Sequence, residues 1–114
     1  MTTSLLDKYR RHAVDHGLHT VEGDADAISD SYDRLQRVFI SLVHEGTGND
    51  LFHFYDDVDP CVPCWAAAHT LDIDGTRALA KLSQLEESGD PHVGMDAKYT
   101  IQEWMSGKLR FLPS

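Results

Sequence analysis

Two cysteines, Cys61 and Cys64, have the Cys-x-x-Cys spacing found in dithiol redox centres and in zinc sites. They follow Asp59 and Pro60, a pair typical of a helix start, because aspartate can accept hydrogen bonds from free N–H groups and proline suits the first helical position. The dipole at a helix N-terminus lowers the pKa of a thiol, so redox chemistry is one interpretation. Thioredoxin-like motifs, however, follow a strand, and no strand pattern precedes Cys61.

A zinc site is the second interpretation of the same cysteines. His69 would be the third ligand, with His53 or His44 as the fourth. Cys61 and Cys64 share a helix face, but His69 lies about 140° around the helix from Cys64. With only two cysteines in the chain, we expect half-buried packing residues in a reducing environment. No metal ion and no cofactor is predicted.

The remaining polar residues do not form a recognisable catalytic motif. The seven histidines are scattered and none has the His-Glu-x-x-His spacing. The glycines of the segment 46–48 interrupt a helical pattern and have no partner lysine, unlike a phosphate-binding loop. No pair of carboxylates stands out for acid–base work. We therefore predict no catalytic residue and a protein that is not an enzyme.

An acidic block in the middle of the chain is the clearest functional signal. No lysine or arginine occurs from residue 38 to residue 76, and the net charge of the chain is −9. This charge disfavours nucleic acid as a partner, whereas it would attract a basic protein and raise its association rate. The alternative is a solvated surface that aids solubility. The predicted partner-binding residues are the aspartates of the turns on either side of the Cys-x-x-Cys helix: Asp56, Asp57, Asp59, Asp72 and Asp74.

Apolar residues recur at spacings of three and four along most of the chain, and no segment alternates with a strand period. The first helix is predicted to end at Gly17, and the second to begin with Asp24 or Asp26 as its cap. The predicted helices are, in order, a first helix from about Leu5, a long helix through Ile28–Val43, a short helix from about Asn49 to Tyr55, and helices over Pro60–Leu71, Ala78–Leu85 and Val93–Met105.

Six helices joined by short loops predict an all-α fold, an α–α superhelix of antiparallel helical hairpins. The three alanines of the segment 66–68 let a neighbouring helix approach closely. Trp65 and Trp104 continue apolar stripes and are expected in the core. A length of 114 residues with 41% hydrophobic content predicts one domain over residues 1–114. Without a membrane-spanning or signal-peptide pattern, we expect a soluble cytoplasmic protein with no membrane partner.

Several of these residues resemble a known repeat. HEAT repeats typically have a turn with aspartate and proline, then valine and arginine, then two alanines, and the chain is similar at residues 59–67. More narrowly, it resembles a bacterial family of short HEAT-like proteins, the domain of unknown function numbered two-zero-one-nine. The matching blocks are Asp33-Arg34-Leu35, the segment 62–69 with Trp65-Ala66-Ala67, the segment Asp96-Ala97-Lys98-Tyr99-Thr100-Ile101-Gln102-Glu103-Trp104, and Gly107-Lys108-Leu109-Arg110-Phe111.

The resemblance implies a HEAT/armadillo-like superhelix and no established activity. Where the repeat usually has arginine after valine, this chain has Pro63. In many such repeats the arginine pairs with a neighbouring acidic residue, so its loss implies that Asp56, Asp57 or Asp59 lacks one habitual partner.

The leading functional hypothesis is therefore a non-enzymatic protein-binding module, an adaptor or inhibitor, that uses an acidic face of the helical stack. A specific version is an immunity protein that neutralises a basic bacterial toxin. The alternative is a metal-binding or redox module centred on Cys61 and Cys64. A third hypothesis is a unit that assembles with copies of itself as a homo-oligomer.

Overall fold

The computed structural model describes residues 4–109 and 111, and this part of the chain contains helices and no strand. The predicted all-α fold of six helices is confirmed. Arg110, which belongs to the last of the blocks that resemble the HEAT-like family, lies outside the described residues. The helices are α1 (Leu5–Glu22), α2 (Ala25–His44), a 3₁₀-helix (Gly48–Asp56), α3 (Cys61–His69), α4 (Gly75–Glu86) and α5 (Pro91–Met105).

Short polar side chains start four of the helices. Ser4, Asp24, Asp74 and Asp90 each accept a hydrogen bond from a backbone N–H group in the first turn of the helix that follows. Of the two caps predicted for the second helix, Asp24 is the one used: its Oδ1 accepts from the N–H of Ala27 at 3.1 Å. These caps fix where the chain changes direction between helices.

The prediction that the first helix ends at Gly17 is wrong, because α1 continues to Glu22. A single glycine inside a helix costs only about 1 kcal/mol relative to alanine. The helix ends at Gly23, which has φ of 76° and donates its N–H to the carbonyl of His19 at 2.9 Å. That left-handed conformation favours glycine and stops the helix.

The chain forms two compact units, Met1–Asp50 and Leu51–Ser114. In the first unit α1 and α2 pack on each other as a helical hairpin. Tyr9 and Ala13 of α1 are fully buried, as are Leu35 and Phe39 of α2. The single domain over residues 1–114 and its HEAT-like superhelix stay predictions.

In the second unit α3 packs against both α4 and α5, and α4 packs against α5. Seven of the nine residues of α3 are buried, including Ala66 and Ala67 with no exposed surface. Gly94 of α5 is needed for close approach to α4, since a Cβ atom there would lie 3.2 Å from the carbonyl oxygen of Glu86. Gly94 thus allows α5 to pack closely on α4, and α3 has the largest buried fraction of the three helices.

None of the helices in the described ranges combines the length with the apolar content that a membrane crossing requires.

Candidate functional site

The turn before α3, residues 57–59, which we call the entry turn, is held by its own carboxylates. Asp57 Oδ1 accepts a hydrogen bond from the N–H of Asp59, and Asp59 Oδ1 accepts one from the N–H of Cys61, each at 3.0 Å. Both aspartates are half-buried, whereas Val58 between them is 93% exposed. Asp59 therefore stabilises the start of α3, as predicted, and the turn presents an aliphatic side chain to solvent.

The turn after α3, residues 72–74, which we call the exit turn, has the same order of residue types. Asp74 Oδ1 accepts a hydrogen bond from the N–H of Arg77 at 3.2 Å and caps α4. Asp72 is exposed, and its side chain forms no hydrogen bond or ion pair with the part of the chain that the structure describes. Ile73 between them is 39% exposed. The exit turn therefore has one carboxylate used for capping and one directed to solvent.

The two turns lie at opposite ends of α3, which at 1.5 Å per residue is about 13 Å long. The end of the 3₁₀-helix is tied to the exit end, because the hydroxyl groups of Tyr55 and Thr70 are hydrogen-bonded at 2.6 Å. Asp56, the next residue, is exposed. The partner-binding role of the five aspartates stays a prediction, and the structure divides them between the two ends of one helix.

The electrostatics around Tyr55 place charged groups near this end of α3. Burial raises the pKa of Tyr55, and the carboxylate of Asp74 raises it further, while the hydrogen bond to Thr70 and the charge of Arg77 act in the opposite direction. A carboxylate and a guanidinium therefore both act on one hydroxyl group, so the exit end of α3 is not uniformly acidic.

The pKa values of the two thiols are raised, whereas the reactive thiol of a redox centre has a lowered pKa. Burial raises the pKa of Cys61 to about 11 and that of Cys64 to about 12. For Cys61, burial is the largest cause of the raised pKa, and the carboxylates of Asp59, Asp90 and Asp96 contribute to it. These effects exceed the lowering that the sequence analysis assigned to the helix dipole, so both thiols are protonated at neutral pH and are poor nucleophiles.

The histidines considered as metal ligands do not join the cysteines. His69 is fully buried, and burial lowers its pKa to about 3. Its ring contacts those of Trp65 and Phe111, with centroids 5.4 and 4.7 Å away. Across residues 4–109 and 111, no group of three or more His, Cys, Asp or Glu side chains is arranged to hold a metal ion.

Both tryptophans are half-buried, which is intermediate between the core position expected for them and a binding surface. The centroid of the Trp65 ring lies 6.2 Å from that of the Phe111 ring, in an edge-to-face arrangement. Neither residue combines the exposure and the acidic surroundings of the two turns.

The residues between the aspartates were not predicted from the sequence as site residues. Val58 and Ile73 are exposed apolar side chains, each flanked by two aspartates. The repeated order aspartate, aliphatic residue, aspartate on both sides of one helix was the available signal. Arg77, whose guanidinium carbon lies 4.1 Å from the centroid of the Phe52 ring, was not predicted either.

Comparison of the chain with protein-family models, with curated proteins and with solved structures found no match.

Proposed function

We propose that this chain is a non-enzymatic protein-binding module that contacts a basic protein through the entry and exit turns of α3. The observation that carries the proposal is the 93% exposure of Val58 between two aspartates whose carboxylates are held by backbone hydrogen bonds. Because the turn is already fixed, a partner would order few additional groups when it binds.

An exposed aliphatic side chain with charged neighbours has the composition of a small protein interface. Fully burying a valine is worth about 1.5–3 kcal/mol. Charges around such a contact contribute mainly to orientation and association rate. Val58 and Ile73 would supply the apolar contacts, and the aspartates beside them would select a partner of positive charge.

The charge of the chain supports a basic partner. The net charge is −9, and residues 38–76 contain no lysine or arginine. Asp72 is an exposed carboxylate with no hydrogen bond or ion pair to other described residues. It is therefore available for a salt bridge across an interface.

The finer version of the proposal is an immunity protein. A small acidic protein can neutralise a basic nuclease-type toxin by occupying the groove that binds phosphate groups. In that version the captured protein is basic, and its nuclease activity falls when this chain is added in equal amount.

Affinity capture from a native lysate of the source cells tests the proposal when it is repeated at two salt concentrations and with two matched variants. We expect one basic protein to be retained at about 0.05 M salt and progressively lost toward 0.5 M, since screening shortens the reach of exposed charges. Asp72→Asn should weaken retention, whereas Asp33→Asn on the exposed surface of α2 should not. If the amount of captured protein changed neither with salt concentration nor with Asp72→Asn, the proposal would be contradicted.

A further inference from the structure

A surface cavity of about 410 Å³ lies between the 3₁₀-helix and α4. Its volume is within the range of small-molecule sites. All its walls belong to the second unit. The lining side chains are Phe52, Tyr55, Asp56, Arg77, Lys81 and Gln84, together with Ala80.

The guanidinium group of Arg77 lies over the aromatic wall of the cavity. Its guanidinium carbon is 4.1 Å from the centroid of Phe52 and 5.6 Å from that of Tyr55. The guanidinium forms no hydrogen bond or ion pair within the described residues. A guanidinium over an aromatic ring still has N–H groups to donate, and these match the two oxygens of a carboxylate.

Lys81 is a second cation in the same cavity. Its Nζ donates a hydrogen bond to Oε1 of Gln84 at 2.9 Å, which uses one of its three N–H groups. With Oε1 accepting this hydrogen bond, the amide N–H groups of Gln84 can donate to a ligand. Two cations and an amide donor in one cavity are unexpected in a protein whose net charge is −9, and together they favour an anionic group.

Asp56 also lines the cavity and restricts which anion fits. Its carboxylate lies farther than 4.0 Å from the charged nitrogens of Arg77 and Lys81, since neither forms an ion pair with it. It would repel a doubly charged phosphate and attract an ammonium group. The rings of Phe52 and Tyr55, 5.3 Å apart, add an apolar surface.

We propose that this cavity binds an α-amino acid with an apolar side chain. The ligand carboxylate would lie at Arg77 and Lys81, its ammonium group at Asp56, and its side chain against the aromatic wall. The proposal goes beyond binding of a protein partner and does not depend on it.

The proposal is tested by two-dimensional amide NMR with three related phenylalkyl compounds as probes. The probes are L-phenylalanine, 3-phenylpropionate, which lacks the ammonium group, and 2-phenylethylamine, which lacks the carboxylate. We expect L-phenylalanine to shift the amide signals of residues 52–56 and 77–84 with a dissociation constant on the order of millimolar, as suits a small ligand in an open site. The other two probes should bind more weakly.

The variants locate the site. Arg77→Gln should weaken binding of L-phenylalanine about tenfold, the value of a lost charge-assisted hydrogen bond, and Lys81→Gln should weaken it less. Arg37→Gln on the exposed surface of α2 is the matched control and should bind normally. The same spectra report folding, and if Arg77→Gln does not fold, Lys81→Gln decides. No shift of these signals by L-phenylalanine, equal binding of 3-phenylpropionate, or normal binding by a folded Arg77→Gln protein would each overturn the proposal.

Discussion

α3 is mostly buried, whereas the two turns that flank it in the sequence carry exposed side chains. Seven of the nine residues of α3 are buried, whereas Val58 of the entry turn is 93% exposed and Asp72 of the exit turn faces solvent. The difference shows that most of residues 61–69 serve packing, while Val58 and Asp72 outside them are exposed to solvent. Substitutions in α3 should therefore change stability, whereas substitutions of Val58 and Asp72 should change binding and leave stability nearly unchanged.

The largest effect is expected for His69 as the pH falls. Burial lowers its pKa to about 3 in the folded state, against about 6.5 in the unfolded state. Between these values the unfolded chain binds a proton that the folded chain does not, so the free energy of unfolding decreases as pH decreases. From pH 6.5 to pH 5.0 this loss amounts to roughly 2 kcal/mol.

Urea unfolding at several pH values measures this loss in the wild type, in His69→Gln and in His53→Gln, whose substituted residue is exposed. His69→Gln should flatten the dependence on pH, and His53→Gln should leave it as in the wild type. The lowered pKa values of His12 and His16 are common to all three proteins and cancel in the comparison. If the free energy of unfolding had the same pH dependence in all three proteins, the result would contradict burial of the His69 ring.

The next effect concerns close packing around α3. Ala67 has no exposed surface, and α3 contacts both α4 and α5. Ala67→Leu should destabilise the protein by about 1–3 kcal/mol, because extra methylene groups force neighbouring side chains aside. Ala25→Leu at an exposed position of α2 should change the free energy of unfolding by less than about 0.5 kcal/mol. Thermal or urea unfolding decides, and an equal effect of the two substitutions would show that α3 is not tightly packed.

A smaller effect separates the aspartates of the two turns. Asp59 accepts the hydrogen bond that starts α3, so Asp59→Ala should cost about 0.5–2 kcal/mol. Asp72 has no such role, so Asp72→Ala should remain within about 0.5 kcal/mol of the wild type. Denaturant midpoints of the two variants measure the difference. If Asp72→Ala were the more destabilising, the assignment of structural and free carboxylates would be reversed.

Much of the fold follows from local sequence, whereas the site depends on contacts that the sequence does not reveal. Spacing of apolar residues predicted the six helices, and Asp24 was predicted as one of two caps. The end of α1 was misplaced, because whether a glycine stops a helix depends on the conformation it adopts, and Gly23 adopts the left-handed one.

The candidate site was only partly predictable for the same reason. Charge identified the five aspartates, but not which carboxylates are already bonded to backbone N–H groups. The helix dipole suggested acidic thiols, yet burial raises the pKa of Cys64 to about 12. The stacking of Arg77 on Phe52 joins residues that are distant in sequence, and no local pattern indicates it.

The most direct test of the central claim measures how much of the captured partner is retained by Val58→Ser relative to the wild type. Val21→Ser, which alters a 65% exposed valine in the other unit, is the matched control. The stability of Val58→Ser should be within about 0.5 kcal/mol of the wild type. We predict that it binds the partner about tenfold more weakly, as for loss of a central apolar contact, while Val21→Ser binds normally. Equal retention by all three proteins would contradict the assignment of the entry turn as a binding surface.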